Sequence, residues 1–343
     1  MKSQDRQSNM ELLRIIAMLF IIAHHYAIHG GVYFNSSGIN LWLSTALISL
    51  GKIGVNLFVM ITGYFMVHQV FTWKRIMKIE SAVLFYSILF GMLAVIVFPE
   101  TRNLLAIRNI FLPTLTNQGN QYWFVPCYFS VILLSPYINK ILCSLEKEQF
   151  RKILFFLFVC MSVIPTILQV TPIFDGNVSM FIFMYLLGAY MRLYPMEGKL
   201  EKSSTNAVLA ILFYILLIFC VMVFKRLGED MVSLGYNADY FWYSNSVFVV
   251  LVSLFIFLFF KQSDLGSKKW INKVGGLTFG IYLIHDNLYV RKYLWSTVFQ
   301  CPDFYQSHKM ILHAVVCIVL VFAVSALCEA VRQFLFQQIS KKE

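Results

Sequence analysis

The first long apolar segment decides the fold class: residues 10–29 read MELLRIIAMLFIIAHHYAIH. A helix needs about 20 mostly apolar residues to cross roughly 30 Å of hydrocarbon, and this segment has that length. Comparable segments follow along the chain, near residues 45–68, 80–98, 122–143, 153–170, 178–194, 205–224, 241–260, 271–294 and 310–336. We therefore predict an all-α fold, a polytopic transmembrane helical bundle of about ten spans.

The composition of the 343 residues agrees with insertion into a membrane. Hydrophobic residues make up 59% of the chain and charged residues only 13%, whereas about a quarter of the residues in a soluble domain are charged. No segment between the predicted spans is long enough to bury a core of its own. Residues 1–343 are therefore expected to form a single integral membrane domain in contact with the lipid bilayer.

The distribution of Lys and Arg predicts how the bundle is oriented, because cytoplasmic segments are enriched in both. If the N-terminus is cytoplasmic, nineteen of the 28 basic residues lie in cytoplasmic segments, and both termini are cytoplasmic. The outer segments hold seven basic residues, namely Arg102, Arg108, Lys225, Arg226, Arg291, Lys292 and Lys309. This asymmetry accounts for the net charge of +11, so we expect no nucleic-acid partner.

Two further features limit the possible functions. The seven cysteines are scattered and lack the paired spacing of metal ligands or disulfides, so we predict neither a metal site nor a bound cofactor. Residues 99–121 are longer than a tight turn, and residues 104–112 are apolar enough to lie along the outer interface or to dip into the protein.

The first span carries the residues that best indicate chemistry, Arg14 and His25. Ionisable residues at membrane depth are costly and are candidates for function. Eleven residues correspond to about three turns plus 20°, so the two side chains share one helix face about 16 Å apart. The alternative is structural: Arg14 pairs with Glu11, and His25 bonds to a neighbouring helix.

Several segments together resemble the acyltransferase 3 family of bacterial membrane acyltransferases. The first is Arg14, ten residues and His25, and the others follow in the family's order. They are GVNLFVMITGY at residues 54–64, KRIMK at 74–78, YWF at 122–124 followed by Ser135-Pro136, and FGIYLIH at 279–285. The match covers most of the chain, and its specificity comes from five weak motifs in the right order.

This resemblance implies transfer of an acyl group, usually acetyl, from cytoplasmic acyl-CoA to a sugar hydroxyl of a cell-surface polysaccharide or its lipid-linked precursor. His25 would be the catalytic residue, as general base or as acyl carrier. Arg14, Arg75 and Lys78 would bind the CoA phosphates, although basic residues there also satisfy the orientation rule. On this interpretation the candidates for lining the cavity or binding the acceptor are Asn56, Tyr122, Trp123 and His285.

His285 is expected at a similar depth to His25, since each lies about 15 residues from the inner end of its span. It would then share the cavity, or it would be a structural histidine bonded to a backbone carbonyl. For Asp286 the alternative to orienting a base is an ion pair with Arg291 or Lys292. Two departures from the family pattern bear on the acceptor: Asn56 stands where many members have an acidic residue, and residues 125–127 read VPC where many have a Glu.

Two other functions stay open at the level of sequence. A transporter or permease for a small substrate would also place polar groups inside a bundle, although transporters often contain inverted repeats and none is evident here. A structural partner of a polysaccharide assembly complex would show neither uptake nor transfer. The enzyme reading places the protein in the bacterial cytoplasmic membrane as a multi-pass acyltransferase.

Overall fold

The computed structural model describes residues 7–97 and 122–339. The apolar segment predicted near residues 104–112 lies outside the described residues. The long helices are α1 Ser8–His29, α2 Gly38–Met66, α3 Trp73–Val97, α4 Phe124–Leu142, α5 Lys147–Leu168, α6 Asn177–Leu193, α7 Ser203–Leu227, α8 Val247–Gln262 and α11 Met310–Ile339; α9 Lys269–Gly275 and α10 Thr278–His285 are short. Short helices and turns span Val32–Asn35, Gly198–Glu201, Glu229–Ser233, Ala238–Trp242, Leu288–Tyr293, Leu294–Val298 and Cys301–Phe304.

The predicted all-α membrane fold is confirmed. The described residues contain eight helices that are long and apolar enough to cross a membrane, and they contain no strand. The helix α6, at 17 residues, is a shorter apolar helix. The number of ten spans and the cytoplasmic position of the termini stay predictions.

The helices α1 and α2 form the centre of the bundle. In the most apolar stretch of α2, 78% of the residues are buried inside the protein, whereas in that of α7 only 17% are. Most of α7 is therefore left to contact lipid. Glycine lets α1 and α2 approach closely: a Cβ on Gly54 would lie 2.5 Å from the carbonyl oxygen of Ala17. This contact packs Ala17, Phe20 and Ile21 of α1 against α2.

The ninth span, predicted as one continuous segment over residues 271–294, is divided in the structure into several short helices. The chain breaks between α9 and α10 at Gly276 and Leu277, and again after His285. At the second break the Asn287 side chain accepts a hydrogen bond from the Tyr289 amide at 3.0 Å. An Asn side chain that bonds to the following backbone competes with helix continuation. The break leaves His285 and Asp286 at a helix end inside the bundle.

A buried ion pair joins the last helix to its neighbours. Arg332 donates to both carboxylate oxygens of Glu329, at 2.8 and 2.7 Å, and the Tyr86 hydroxyl donates to the same carboxylate at 2.7 Å. Gly280 of α10 lies against this group, since a Cβ there would be 2.2 Å from the Glu329 carboxyl carbon. Gly280 therefore lets α10 pack closely against α11.

Candidate active site

His25 lies at the end of a chain of hydrogen bonds that links two helices. Its Nδ1 is 3.0 Å from Nε2 of His285, and Nδ1 of His285 is 2.6 Å from the carbonyl oxygen of Ile281. Both imidazoles are buried, with exposed fractions of 6% for His25 and 1% for His285. The structure therefore brings the two sequence-predicted histidines into direct contact. It also shows the backbone bond that the structural interpretation of His285 expected.

The partners along this chain determine which ring nitrogens carry protons. A carbonyl oxygen only accepts, so Nδ1 of His285 donates to Ile281, and Nε2 of a neutral His285 keeps its lone pair. That lone pair accepts the Nδ1 proton of His25, so Nε2 of a neutral His25 is free to accept a proton. His285 thus fixes the tautomer that a general base at His25 requires.

Asp286 adds a buried negative charge beside the free nitrogen of His25. Its Oδ1 is 3.7 Å from Nε2 of His25, 3.4 Å from Nε2 of His29 and 3.7 Å from Nη1 of Arg291. Asp286 is 1% exposed, and its Oδ1 accepts no hydrogen bond from the described residues. A carboxylate at this distance favours the imidazolium that forms when His25 takes up a proton. Asp286 therefore contacts both Arg291 and the candidate base.

His24, the neighbour of His25, has a different environment. Its Nδ1 lies 2.6 Å from the carbonyl oxygen of Ile48, and its ring meets the edge of Trp242 at 6.0 Å between centroids. Gly51 makes room for it, because a Cβ at that position would lie 2.3 Å from the His24 side chain. Sequence alone distinguishes the two histidines only by the helix face on which each lies.

A small cavity, which we call the histidine cavity, borders His25. Its volume is about 50 Å³. The polar side chains that line it are His24, His25 and Lys52, and Trp123 also lines it. Its remaining walls are apolar or glycine, namely Met18, Ile21, Gly51, Val55, Phe58, Phe124, Phe279 and Tyr282. Lys52, which the sequence analysis did not assign to the site, extends over the face of Trp123 with its Nζ 4.9 Å from the ring centroid.

A larger pocket of about 420 Å³ lies near the start of α1 and contains three guanidinium groups, from Arg14, Arg75 and Arg192. We call it the arginine pocket. Arg14 binds the Glu11 carboxylate at 2.9 Å, as the structural interpretation expected, and Arg192 donates to the Tyr64 hydroxyl at 3.1 Å. Nη1 of Arg75 is buried and has no hydrogen-bond partner among the described residues. A pocket rich in guanidinium groups suits a phosphate ligand.

The two cavities lie in line along the same three helices. Arg14 on α1 and Tyr128 on α4 line the arginine pocket. One helical turn away on the same helices, Met18 and Phe124 line the histidine cavity. The Phe124 and Tyr128 rings stack at 5.2 Å between centroids, at the boundary between the cavities. A ligand that filled both cavities would pass this aromatic pair.

The other sequence-predicted residues lie elsewhere. Lys78 is exposed and does not line the arginine pocket. Asn56 is buried and donates to the carbonyl oxygen of Ser244 at 3.0 Å, away from the histidine cavity. Tyr122 donates to the carbonyl oxygen of Leu283 at 2.7 Å, which ties the start of α4 to α10. The role of Lys78 with the donor and the roles of Asn56 and Tyr122 with the cavity or the acceptor stay predictions.

A group of three potential metal ligands is present among the residues that the structure describes. One ligand atom each from His25, His29 and Asp286 lie within 4.8 Å of one another. A divalent ion could join such atoms, but the guanidinium of Arg291 already supplies positive charge to the same carboxylate. The arrangement fits an ion pair at least as well as a metal centre, and the absence of a metal stays a prediction.

The fold and the buried histidine pair define a multi-pass membrane protein with a candidate general base inside its helical bundle. A family model described as an acyltransferase domain matches residues 7–330, nearly the whole chain. The chain belongs to the acyltransferase 3 family and is a membrane acyltransferase. No curated protein and no solved structure matches it.

Proposed function

We propose that the protein moves an acyl group, acetyl in the simplest case, from cytoplasmic acyl-CoA to a hydroxyl of a cell-surface polysaccharide or its lipid-linked precursor. It would do so in the bacterial cytoplasmic membrane. The observation that carries the proposal is the free Nε2 of His25, which lies in line with a pocket of three arginines along α1. The basic pocket suits the donor phosphates, and the buried imidazole suits activation of an alcohol.

In the proposed reaction, His25 Nε2 takes the proton of the sugar hydroxyl as its oxygen attacks the thioester carbonyl carbon. The carbon–sulfur bond then breaks, and the imidazolium returns the proton to the departing CoA thiolate. Asp286, 3.7 Å from Nε2, stabilises the imidazolium between these two steps. An acyl-histidine route uses the same lone pair as nucleophile. Trapping an acylated His25 before acceptor is added would distinguish the two routes.

The proposed donor lies with its phosphates in the arginine pocket and its thioester arm directed toward His25. The buried, unpartnered Nη1 of Arg75 is a donor ready for a phosphate oxygen. The sequence did not predict a role for Arg192 in the site, because it was counted only among the basic residues of the predicted cytoplasmic segments. The arm would pass between the helices beside Phe124 and Tyr128, whose stacked rings must separate or shift to admit it.

The direct test is transfer by the purified protein in proteoliposomes with radiolabelled acetyl-CoA and the envelope glycans of the host cell. We expect release of CoA that depends on the glycan, and a mass gain of one acetyl group on the glycan. Uptake of a small solute without acyl-CoA would instead support a transporter. If CoA release and glycan acetylation were both absent under these conditions, the proposal would be contradicted.

Substitution of Arg75 by Gln should weaken donor binding and leave turnover at saturating donor unchanged. Hydrogen bonds to charged groups contribute about 1.5–3 kcal/mol, so the KM for acetyl-CoA should rise roughly 10- to 100-fold. Because the contact is ionic, the wild-type KM should also rise with salt, and it should do so less steeply in the variant.

Arg151 offers a matched control for the Arg75 experiment. Its guanidinium is exposed, pairs with Glu148 at 2.6 Å and lies outside the arginine pocket. Arg151→Gln removes the same charge from a segment that is also predicted to be cytoplasmic, so we expect it to keep the wild-type KM. An equal rise in KM in both variants would mean that Arg75 acts through general surface charge and not through a donor contact.

A further inference from the structure

Lys52 is an ammonium group in the middle of α2, where its charge is expensive to maintain. Ionisable residues inside membrane spans normally pair with an opposite charge or contact a functional cavity. Among the described residues, no carboxylate oxygen lies within 4.0 Å of its Nζ. The ammonium lies over the face of Trp123, 4.9 Å from Nζ to the ring centroid, and the charge of Asp286 acts on it only from beyond 4.0 Å.

The carboxylate of this region has other partners. Asp286 lies within 4 Å of His25, His29 and Arg291, on the side of His25 formed by α10 and the residues after it. Lys52 lines the histidine cavity from α2, together with Gly51 and Val55. The ammonium therefore keeps its donors available for whatever enters the cavity.

The size and lining of the cavity indicate which group that is. A single water needs roughly 10–15 Å³ of such volume, so a cavity of about 50 Å³ accepts a group of only a few non-hydrogen atoms. A group of that size would lie in a space that both His25 and Lys52 line. Apart from His24, His25, Lys52 and the Tyr282 hydroxyl, the walls are apolar or glycine, as suits a short acyl group.

We propose that Lys52 is a further catalytic residue that donates to the thioester carbonyl oxygen and stabilises the oxyanion formed when the alcohol attacks. This inference rests on the proposed acyl transfer and assigns the part of that reaction which His25 does not perform. As the oxygen–carbon bond forms, the carbonyl π pair moves onto oxygen; when the carbon–sulfur bond breaks, the pair returns. The lysine keeps its proton throughout and supplies hydrogen bonds only.

Such a lysine acts selectively on the transition state. In the ground state the carbonyl oxygen is nearly neutral and offers the ammonium little, whereas the tetrahedral oxyanion carries a full charge in a site from which water is excluded. Interactions that strengthen in the transition state raise kcat and leave KM nearly unchanged. An ammonium beside a small cavity, with no carboxylate of the described residues within 4.0 Å, therefore has the electrostatics that this step needs.

The test is steady-state acetyl transfer by Lys52→Met, which keeps the length and removes the charge. Loss of one oxyanion donor costs about 10²–10³ in kcat, and we expect a loss of that size with the KM for acetyl-CoA within about twofold of wild type. Lys52→Ala should regain turnover when n-propylamine is added, in a saturable manner, because the free amine can occupy the vacated space.

Lys225 provides a matched control, because its Nζ lies 3.9 Å from the centroid of the Tyr33 ring and outside the histidine cavity. Lys225→Met removes a similar cation–π contact, and we expect it to keep wild-type kcat. If it loses as much turnover as Lys52→Met, the contact with an aromatic ring explains the effect and the proposal is overturned. An unchanged kcat in Lys52→Met overturns it as well.

A third pattern assigns the lysine to the acceptor. If Lys52→Met keeps kcat but raises the KM for the glycan, the ammonium binds an anionic group of the acceptor and the oxyanion role is wrong. If Lys52→Met does not accumulate in the membrane, Lys52→Arg decides, since it keeps the charge but displaces the donors; wild-type kcat in that variant overturns the proposal. Absence of transfer by the wild-type protein would instead refute the proposed function itself.

Discussion

Replacing His25 with Asn should reduce acetyl transfer by about 10²–10⁴-fold in kcat, the range that a general base contributes. Asn keeps a polar side chain of moderate size at the end of the hydrogen-bonded chain from Ile281 through His285. It has no nitrogen lone pair to accept the substrate proton. The measurement is glycan-dependent release of CoA at saturating donor and acceptor, together with the affinity for CoA.

The affinity measurement separates chemistry from folding. The arginine pocket lies about 16 Å from His25 along α1, so His25→Asn should bind CoA as the wild-type protein does. His313 is a suitable control, since its ring bonds to the Tyr26 hydroxyl at 3.0 Å and it lies outside both cavities. We expect His313→Asn to keep most of the turnover. Full activity of His25→Asn would refute the role of His25.

Removal of Glu329 should produce the largest loss of stability among the substitutions considered. Glu329→Leu leaves the guanidinium of Arg332 buried, 8% exposed and without its carboxylate. Breaking a buried pair by removing one partner costs about 3–5 kcal/mol. We expect a marked fall in the Tm of the detergent-solubilised protein, measured by the fluorescence of buried tryptophans or by loss of CoA binding on heating.

The double variant Glu329→Leu/Arg332→Leu tests the electrostatic origin of that loss. When both charges are replaced by apolar groups of similar volume, the change is often neutral or stabilising. We therefore expect the double variant to recover most of the Tm that Glu329→Leu loses. If the double variant is less stable than Glu329→Leu, the contacts of Arg332 with the Phe85, Tyr86 and Phe336 rings matter more than the ion pair.

The fold could be predicted from sequence because lipid imposes a simple rule on each segment separately. A long apolar run must become a helix, since no other element satisfies its backbone in hydrocarbon. That rule places α1 and α11 within three residues of where the structure has them, whereas α2 begins at Gly38, seven residues before the predicted start. It does not predict the break after His285, where the Asn287 side chain accepts from the Tyr289 amide and donates to the Tyr122 hydroxyl.

The site was predictable where its geometry follows from a single helix and not where several helices meet. Arg14 and His25 lie eleven residues apart on α1, so helix periodicity alone relates them. Asp286 follows its contact His25 by 261 residues, and Arg192 follows its partner Tyr64 by 128 residues, and no local pattern predicts such contacts. The sequence signal for Lys52 is a single charge within the apolar run of residues 45–68.

The fixed distance between the three guanidinium groups and the free imidazole nitrogen has a consequence for the choice of donor. Arg14 and His25 are both held by helix α1, so the separation between this guanidinium and the imidazole is fixed along that helix. A donor whose anionic head and reactive carbon are joined by a long flexible arm can touch both ends at once. An activated acyl compound that lacks such an arm, such as an acyl phosphate, would reach only one of them.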